Sequence, residues 1–495
     1  MLMPTPDANL IARQGEFVAD LRKIVPGEGV IDDDTALAAY ECDGLMAYRQ
    51  RPLAVVLPET IEQVSEVLGY CHRAGLKVVP RGSGTSLSGG ALPLADGIVM
   101  AMGKFNKILE VDYANRCVVV QPCVTNAAVT ESVGTEGFYY APDPSSQIIC
   151  SIGGNVAENA GGVHCLKYGM TSNNILGLQM VLMDGSVVRI GGKHLDSQSL
   201  DLLGLICGSE GLLGVVTEIT VRILRTPETQ RALLLGFSDV ESAGACVAKV
   251  IAEGVVPAAM EIMDRTAIHA AEAFVKVGYP LDVEALLLIE FDGTPEEVDH
   301  FINMVTKIAN NSGAVSSKQS NSEEERKQFW AGRKAAFPAI GKISPDYYCM
   351  DGTIPRNKLP QALRRISELS DEFGLEVANV FHAGDGNLHP MVLYNADKEG
   401  DLEKAEQFGA AILTLCVELG GVLTGEHGVG VEKRDLMEVQ FTKADLDQQQ
   451  RVKCVFDDQG LLNPGKVFPK LRRCAEGGKM HVHHGELRFP DIERY

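Results

Sequence analysis

The sequence predicts two successive α+β domains, on three observations. Glycine-rich tracts punctuate short strands and helices over residues 50–228. Apolar strands alternate with capped helices over 229–470. The 495-residue length lets each part bury its own core. Residues 1–49 read as a helical lead-in and 471–495 as a polar tail.

Composition narrows the function classes. With 45% hydrophobic and 22% charged residues the chain has a globular make-up. Its formal charge of −21 argues against nucleic acid as a partner, because there is no basic surplus to neutralise phosphates. No apolar run has the length of a bilayer span. The N-terminus MLMPTPDANLIARQGEFVADL lacks a basic start followed by an apolar core, so no signal peptide is expected and the setting reads as cytoplasmic. The twelve cysteines form no CxxC pair, which argues against a zinc ribbon, a thioredoxin motif or an iron–sulfur run and suits buried thiols in a reducing compartment.

In the first part, the apolar run 53–57 reads as a strand. The helix after it has Thr60 as N-cap with Gln63 at capping-box spacing, and Gly75 fits its C-terminal cap. Its apolar face carries Ile61, Val64, Val67, Leu68 and Cys71. A second strand, 76–80, opens into RGSGTSLSGG (81–90). A glycine-rich loop after a strand can wrap backbone amides around a phosphate. It is neither a dinucleotide fingerprint, which needs glycine where Leu87 stands, nor an ATPase loop, which needs Lys and Ser/Thr where Gly90 and Ala91 stand. A second tract runs from Pro142 into SIGGNVAENAGG (151–162), and the pair could meet the two ends of a large phosphate-bearing cofactor. The stretches 175–183 and 186–190 read as a hairpin turning at Asp184-Gly185. A third tract, CGSEGLLG (207–214), leads into a half-buried strand at 215–224.

In the second part, strand-like 233–237 precedes a helix that Ser238 and Glu241 could cap. Strand-like 285–291 precedes one that Thr294 and Glu297 could cap. Alternation continues through 347–354, 359–373, 375–382 and 402–420, which suggests two similar halves. Within it lies HAGDGNLH (382–389). A continuous strand would point His382 and His389 to opposite faces, but the turn between them can fold them back to one point. With Glu426, from GEHGVG (425–430), they form a ligand set for a divalent cation, Zn or a neighbour such as Mn or Fe. His427 would remain free to move a proton. A plain turn with surface histidines is the alternative. In the tail, His481, His483 and His484 read as a solvated segment or a further metal site.

Taken in order, the three tracts, the HxGDGNxH and GEHGVG stretches and NPGK (463–466) resemble the FAD-linked 2-hydroxy-acid dehydrogenases over about residues 50–470. The resemblance implies a PCMH-type FAD-binding domain of the vanillyl-alcohol-oxidase kind. A ferredoxin-like α+β substrate or cap domain follows, whose C-terminal segment returns to the flavin. It implies that Pro80, Arg81, Gly82, Ser83, Gly84, Thr85, Ser86 and Gly89, with Ser151, Gly153, Gly154 and Asn155, cradle the pyrophosphate. Pro142, Asp143, Ser146, Asn159, Gly161 and Gly162 would line the isoalloxazine and ribose, with Tyr168 and Gly169 beyond them. Glu210, Gly211, Gly214 and Val216 would lie along the rest of the cofactor, and Asn463 near the flavin. The first loop has no histidine, so FAD is expected to be non-covalent.

The same resemblance places Arg333 on the substrate carboxylate, Phe337, Asn387 and Met391 around the substrate, His382, His389 and Glu426 on the metal, and His427 as the base. Relatives that accept 2-hydroxyglutarate have Thr, Lys and Asn where Phe337, Met350 and Met391 stand here. Losing those polar partners disfavours a second carboxylate and points to glycolate or D-lactate. The tail resembles that of family members working inside multi-subunit complexes. This implies a second flavin subunit and an iron–sulfur subunit at the inner face of the cell membrane. A stand-alone D-lactate dehydrogenase feeding a quinone or cytochrome, a non-catalytic flavin-binding subunit and a NADPH-linked reductase are the rival readings.

Overall fold

The computed structural model describes residues 3–194 and 200–469. The tail histidines His481, His483 and His484 lie outside the described residues. The N-terminal half is built on two main sheets. In the first, strands Lys77–Arg81 and Ala54–Val56 flank Gly97–Ala101 in parallel, and Val30–Ile31 adds an antiparallel edge. Thr60 caps helix Ile61–Ala74 by accepting from the Gln63 amide, and left-handed Gly75 ends it, as the sequence predicts. That helix and Gln14–Ile24 press Val64, Val67, Leu68, Phe17 and Leu21 into one core beneath the sheet.

The second sheet is antiparallel, in the order Ile108–Asp112, Cys117–Val120, Val215–Arg222, Ile175–Val181, Val187–Gly191. The expected hairpin is present, but its last cross-strand pair is Val181↔Val187, so the loop also takes in Leu182 and Met183. The Asp184 carboxylate receives the Ser186 amide and closes the turn.

The C-terminal half is one large antiparallel sheet. Its order is Ala314–Gln319, Thr229–Phe237, Ala285–Gly293, Ala259–Asp264, Val377–His382, Asn387–Tyr394 and Asp346–Cys349, with Gly352–Thr353 also on Asn387–Tyr394. Both faces are covered over its central strands, which explains why those strands read as continuous apolar runs. Leu233, Leu235, Leu287 and Ile289 face one layer, with helices Val240–Ala252, Pro295–Asn311, Leu359–Phe373 and Asp401–Glu418. Leu234, Leu286 and Leu288 face the other, with helices Arg265–Val275 and Glu323–Ile340. The two halves of the sheet meet where Ile262 pairs with Phe381 and Met263 with Val380. Thr294 and Glu297 form the expected capping box. At the earlier helix the cap is Asp239, which accepts from the Ser242 amide, rather than Ser238 with Glu241. The N-cap falls one residue later because the strand runs through Phe237.

Several sets of contacts dock the halves. The returning segment places Leu462 beside Val78 as a parallel bridge, and Asn463 donates its amide to the Val78 carbonyl at 2.7 Å. Lys167 and Tyr168 reach Asp292 on the large sheet. Between them, His164 Nδ1 lies 2.8 Å from Asp143 and Nε2 3.2 Å from Glu290, which also receives Arg326 and Trp330. Burial alone would lower the His164 imidazole, but the two carboxylates outweigh it and lift it to about 10.

Because an unfolded imidazole titrates near 6.5, the retained proton contributes stability that is complete below about pH 6.5 and lost as pH rises through about 10. The thermal midpoint is therefore expected to fall between pH 7 and 10. His164→Gln, which carries no titrating charge, should flatten that fall, and an unchanged slope in the variant would remove His164 from the docking energetics.

Candidate active site

The first two glycine-rich tracts converge through a hydroxyl. Ser151 caps helix Ile152–Glu158, accepting from the Gly154 amide at 3.2 Å, and the Ser83 amide of the other loop points at the same oxygen. A side chain at Gly82 would collide with it, its Cβ falling 2.4 Å from Ser151 Oγ. Around this junction lies a cavity. Pro80, Arg81, Gly82, Ser83, Gly84, Thr85, Ser86, Ser146, Ser151, Gly153, Gly154, Asn155, Glu210, Gly211, Gly214 and Val216 line it, and Glu426 and His427 stand on its wall.

The other candidate cofactor residues stand behind that wall. Asn463 donates to the Gly90 carbonyl at 3.1 Å and the Glu210 carbonyl at 2.7 Å, stapling the first tract to the third. Pro142 accepts from buried Asn126, which also holds Asn155. Asp143 is taken by His164 and Tyr168 by Asp292. Asn159 ends the helix in a left-handed conformation and accepts from Ser172. Gly89 packs on Val431, Gly162 on the Asp143 carbonyl, and Gly169 on Asn173; Gly161 lies against Glu426, where a Cβ would come 2.7 Å from its carboxylate. Arg81 packs its guanidinium against Gly84 and donates Nη1 to the Cys42 carbonyl at 2.6 Å.

The histidines come together as the turn allows. Strands Val377–His382 and Asn387–Tyr394 form a hairpin in which Val380 pairs with His389, so His382, two residues on, shares its face. The two rings lie 4.9 Å apart, nearly perpendicular. Glu426 Oε1 sits 3.4 Å from His382 Nε2 and 3.3 Å from His389 Nε2. His389 is 2% exposed, yet neither ring nitrogen has a hydrogen-bond partner. Two imidazoles and a carboxylate, converging with an orphaned nitrogen, fit a divalent cation.

A second group, Asp351, His389 and His427, is equally compact. Its carboxylate is already committed: Asp351 accepts from the Thr424 hydroxyl, the Gly425, Glu426 and His427 amides and, at 3.0 Å, from the Lys433 ammonium. A cation there would meet Lys433, so of the two groups His382, His389 and Glu426 is the better suited to hold one. Burial alone would raise the Asp351 carboxyl, but Lys433, His427 and His389 outweigh it and hold it well below the usual range. Burial would likewise raise Glu426, and His382, His389 and His427 bring it down to about 2.

His427 stacks on His389 at 5.0 Å, and its Nδ1 has no partner. Burial pushes its imidazole down to about 4, helped by His389 and Lys433 against the pull of Asp351. It is therefore neutral at pH 7 and can accept a proton. The loop carrying it is held from the other side by Glu210, whose carboxylate takes the Val429 and Gly430 amides at 2.6 and 2.7 Å. Gly428, at φ +81°, makes the bend between the two anchors, where a Cβ would fall 2.1 Å from Glu158 Oε2.

Of the residues expected around a substrate, Phe337 meets His389 edge-on at 6.2 Å, and Met391 lies buried on the same sheet face. Asn387 fills the space over Gly425, with its Oδ1 unpartnered. Met350 is a correction: it packs in the opposite layer beneath helix Asp401–Glu418, against Gly409. Alternation gives the face shared with Met391 to its cross-strand partner Cys349. Arg333 is 4% exposed and lies against Glu261, which also contacts His382. Sequence reasoning missed Glu261, Asp351 and Glu290. Their signal is a lone carboxylate in an otherwise apolar strand or strand end, which burial permits only with partners.

This fold and site define a flavin-dependent oxidoreductase class. Residues 52–191 match the model for the FAD binding domain and 226–467 that for the FAD linked oxidases C-terminal domain, and the chain belongs to the FAD-linked oxidase family. It is 53% identical over 475 residues to the glycolate oxidase subunit GlcD of Escherichia coli strain K12, covering 96% of this chain and 95% of that one. To the GlcD subunit of Bacillus subtilis it is 36% identical, covering 90% and 95%. To the D-lactate dehydrogenase of Archaeoglobus fulgidus it is 34% identical, covering 92% and 100%. Among solved structures, p-cresol methylhydroxylase superposes with a TM-score of 0.78 at 15% identity, covering 94% and 98%. The 4-ethylphenol oxidase of Gulosibacter chungangensis gives 0.77 at 17%, covering 95% and 99%. The expected flavin fold is therefore present.

Replacing Lys433 by Met should lower the unfolding free energy by about 3–5 kcal/mol, because Asp351 would keep its buried charge without the ammonium. A urea melt with an unchanged midpoint would contradict that.

Proposed function

We propose that this chain is the catalytic flavin subunit of a glycolate oxidase-type complex, oxidising a short 2-hydroxy acid, glycolate or D-lactate, to the 2-oxo acid. The observation that carries the proposal is the convergence of His382, His389 and Glu426 beside His427 on the wall of the FAD cavity. Identity to GlcD subunits over nearly the whole chain supports the substrate class.

The cavity's small-residue lining fits FAD: Gly82, Gly84, Gly153 and Gly154 carry no side chain that would keep a pyrophosphate from the backbone. Bound FAD supplies the two-electron acceptor, and a divalent cation held by His382, His389 and Glu426 supplies positive charge beside the substrate hydroxyl. The chain's own residues do the rest. Arg333 offers its guanidinium fork to the substrate carboxylate, beyond the two nitrogens facing Glu261. His427, neutral and lacking a partner at Nδ1, takes the hydroxyl proton as the C2–H bond gives up its electron pair. Phe337 and Met391 leave no polar partner for a distal carboxylate and so favour a short side chain.

Electrons must then leave the flavin. Ten cysteines are free thiols, and among the described residues no cysteine cluster could hold an iron–sulfur group. No helix among them is long and apolar enough to cross a membrane. These facts, with relatives named as subunits, support the expectation of a second flavin subunit and an iron–sulfur subunit at the inner face of the membrane.

Two variants test the roles. His427→Ala should keep FAD and metal and lose about 10²–10⁴-fold in turnover with glycolate and an artificial acceptor. His389→Ala should purify with FAD and without stoichiometric metal. Wild-type turnover in the first removes His427 as base, and full metal content in the second removes the cation seat.

A further inference from the structure

We propose that Glu261 is a positioning residue that locks the cation seat and the substrate-carboxylate arginine into one geometry. The inference rests on the reading of His382 as a ligand and Arg333 as the substrate's partner. Glu261 lies on strand Ala259–Asp264, and the pairing of Ile262 with Phe381 brings it beside His382 at the seam of the large sheet. It is 1% exposed. Its two oxygens divide the work: Oε1 lies 2.8 Å from His382 Nδ1, while Oε2 takes Arg333 Nε at 2.8 Å and Nη2 at 2.7 Å.

Each contact constrains an atom used in the reaction. With Nδ1–H donated to Glu261, His382 has its Nε2 lone pair facing His389 and Glu426, the state a ligand needs. With Nε and Nη2 fixed, the remaining edge of Arg333 can present to a carboxylate in one orientation. A 2-hydroxy acid carries carboxylate and hydroxyl on adjacent carbons and must reach both features at once. Glu261 therefore sets the span that admits 2-hydroxy acids and rejects those with the hydroxyl one carbon further on.

The chemistry of glutamine isolates the role. Both His382 Nδ1–H and Arg333 require an acceptor, and a glutamine amide has only one, so Glu261→Gln must release one of them. We expect it to keep FAD, to lose about 10–100-fold in metal affinity measured by chelator competition, and to raise KM for glycolate about tenfold. Its preference for glycolate over 3-hydroxypropionate should narrow. Arg333→Met should raise KM while keeping metal affinity within about threefold of wild type, because Glu261 still holds His382.

The double variant Glu261→Gln with Arg333→Met frees the amide oxygen for His382. It should bind metal more tightly than Glu261→Gln alone, and this non-additivity is the signature of coupling. It also removes the buried unpaired guanidinium, so it carries the test if the single variant fails to fold. Wild-type metal affinity and KM in Glu261→Gln, or metal loss in the double variant equal to that in the single one, would overturn the inference. Full metal content in His389→Ala would overturn the underlying reading instead.

Discussion

Two buried carboxylates hold the loop on which the site depends. Asp351, at the edge of the large sheet, takes the amides of Gly425, Glu426 and His427, and Glu210, from the third glycine-rich tract, takes those of Val429 and Gly430. Backbone amides are obligatory donors, so each anchor satisfies groups that would otherwise be buried without partners. The consequence is positional. Glu426 and His427 are referenced at once to the sheet that bears His382 and His389 and to the wall of the cofactor cavity. Lys433 closes the arrangement by bonding Asp351 and the Gly428 carbonyl.

The large sheet explains where the other half of the site comes from. Because both faces of its central strands are covered, polar side chains survive there only where they meet one another. Glu261, His382, His389 and Arg333 meet on one face, at the seam between the two halves of the sheet. The two histidines of the candidate cation seat are therefore carried by strands, and Glu426 alone comes from the anchored loop.

Much of this was legible in the sequence because its signals are local. The glycine-rich tracts, the Gly-Asp-Gly-Asn turn and the Thr60 and Thr294 caps each depend on residues a few positions apart. What was not legible depends on register. Glu261 and His382 are separated by 121 positions, and only the pairing of two strands makes them neighbours. Met350 failed for the related reason that one step along a strand exchanges the two faces, and it therefore lies under a helix while Cys349 takes the face shared with Met391. Glu210 lines the cavity, and its carboxylate serves the His427 loop, a role that the sequence pattern could not distinguish from a cofactor contact.

In the proposed function, a cation-binding histidine pair and a neutral base beside the flavin act together on a short 2-hydroxy acid. The most direct measurement is an anaerobic titration of the FAD-loaded chain followed through the flavin absorbance band. Glycolate or D-lactate should bleach the band and NADPH or D-2-hydroxyglutarate should not, with bleaching lost after chelation and recovered on adding a divalent metal. Bleaching that survives complete metal removal, or that only NADPH produces, would contradict the proposed function.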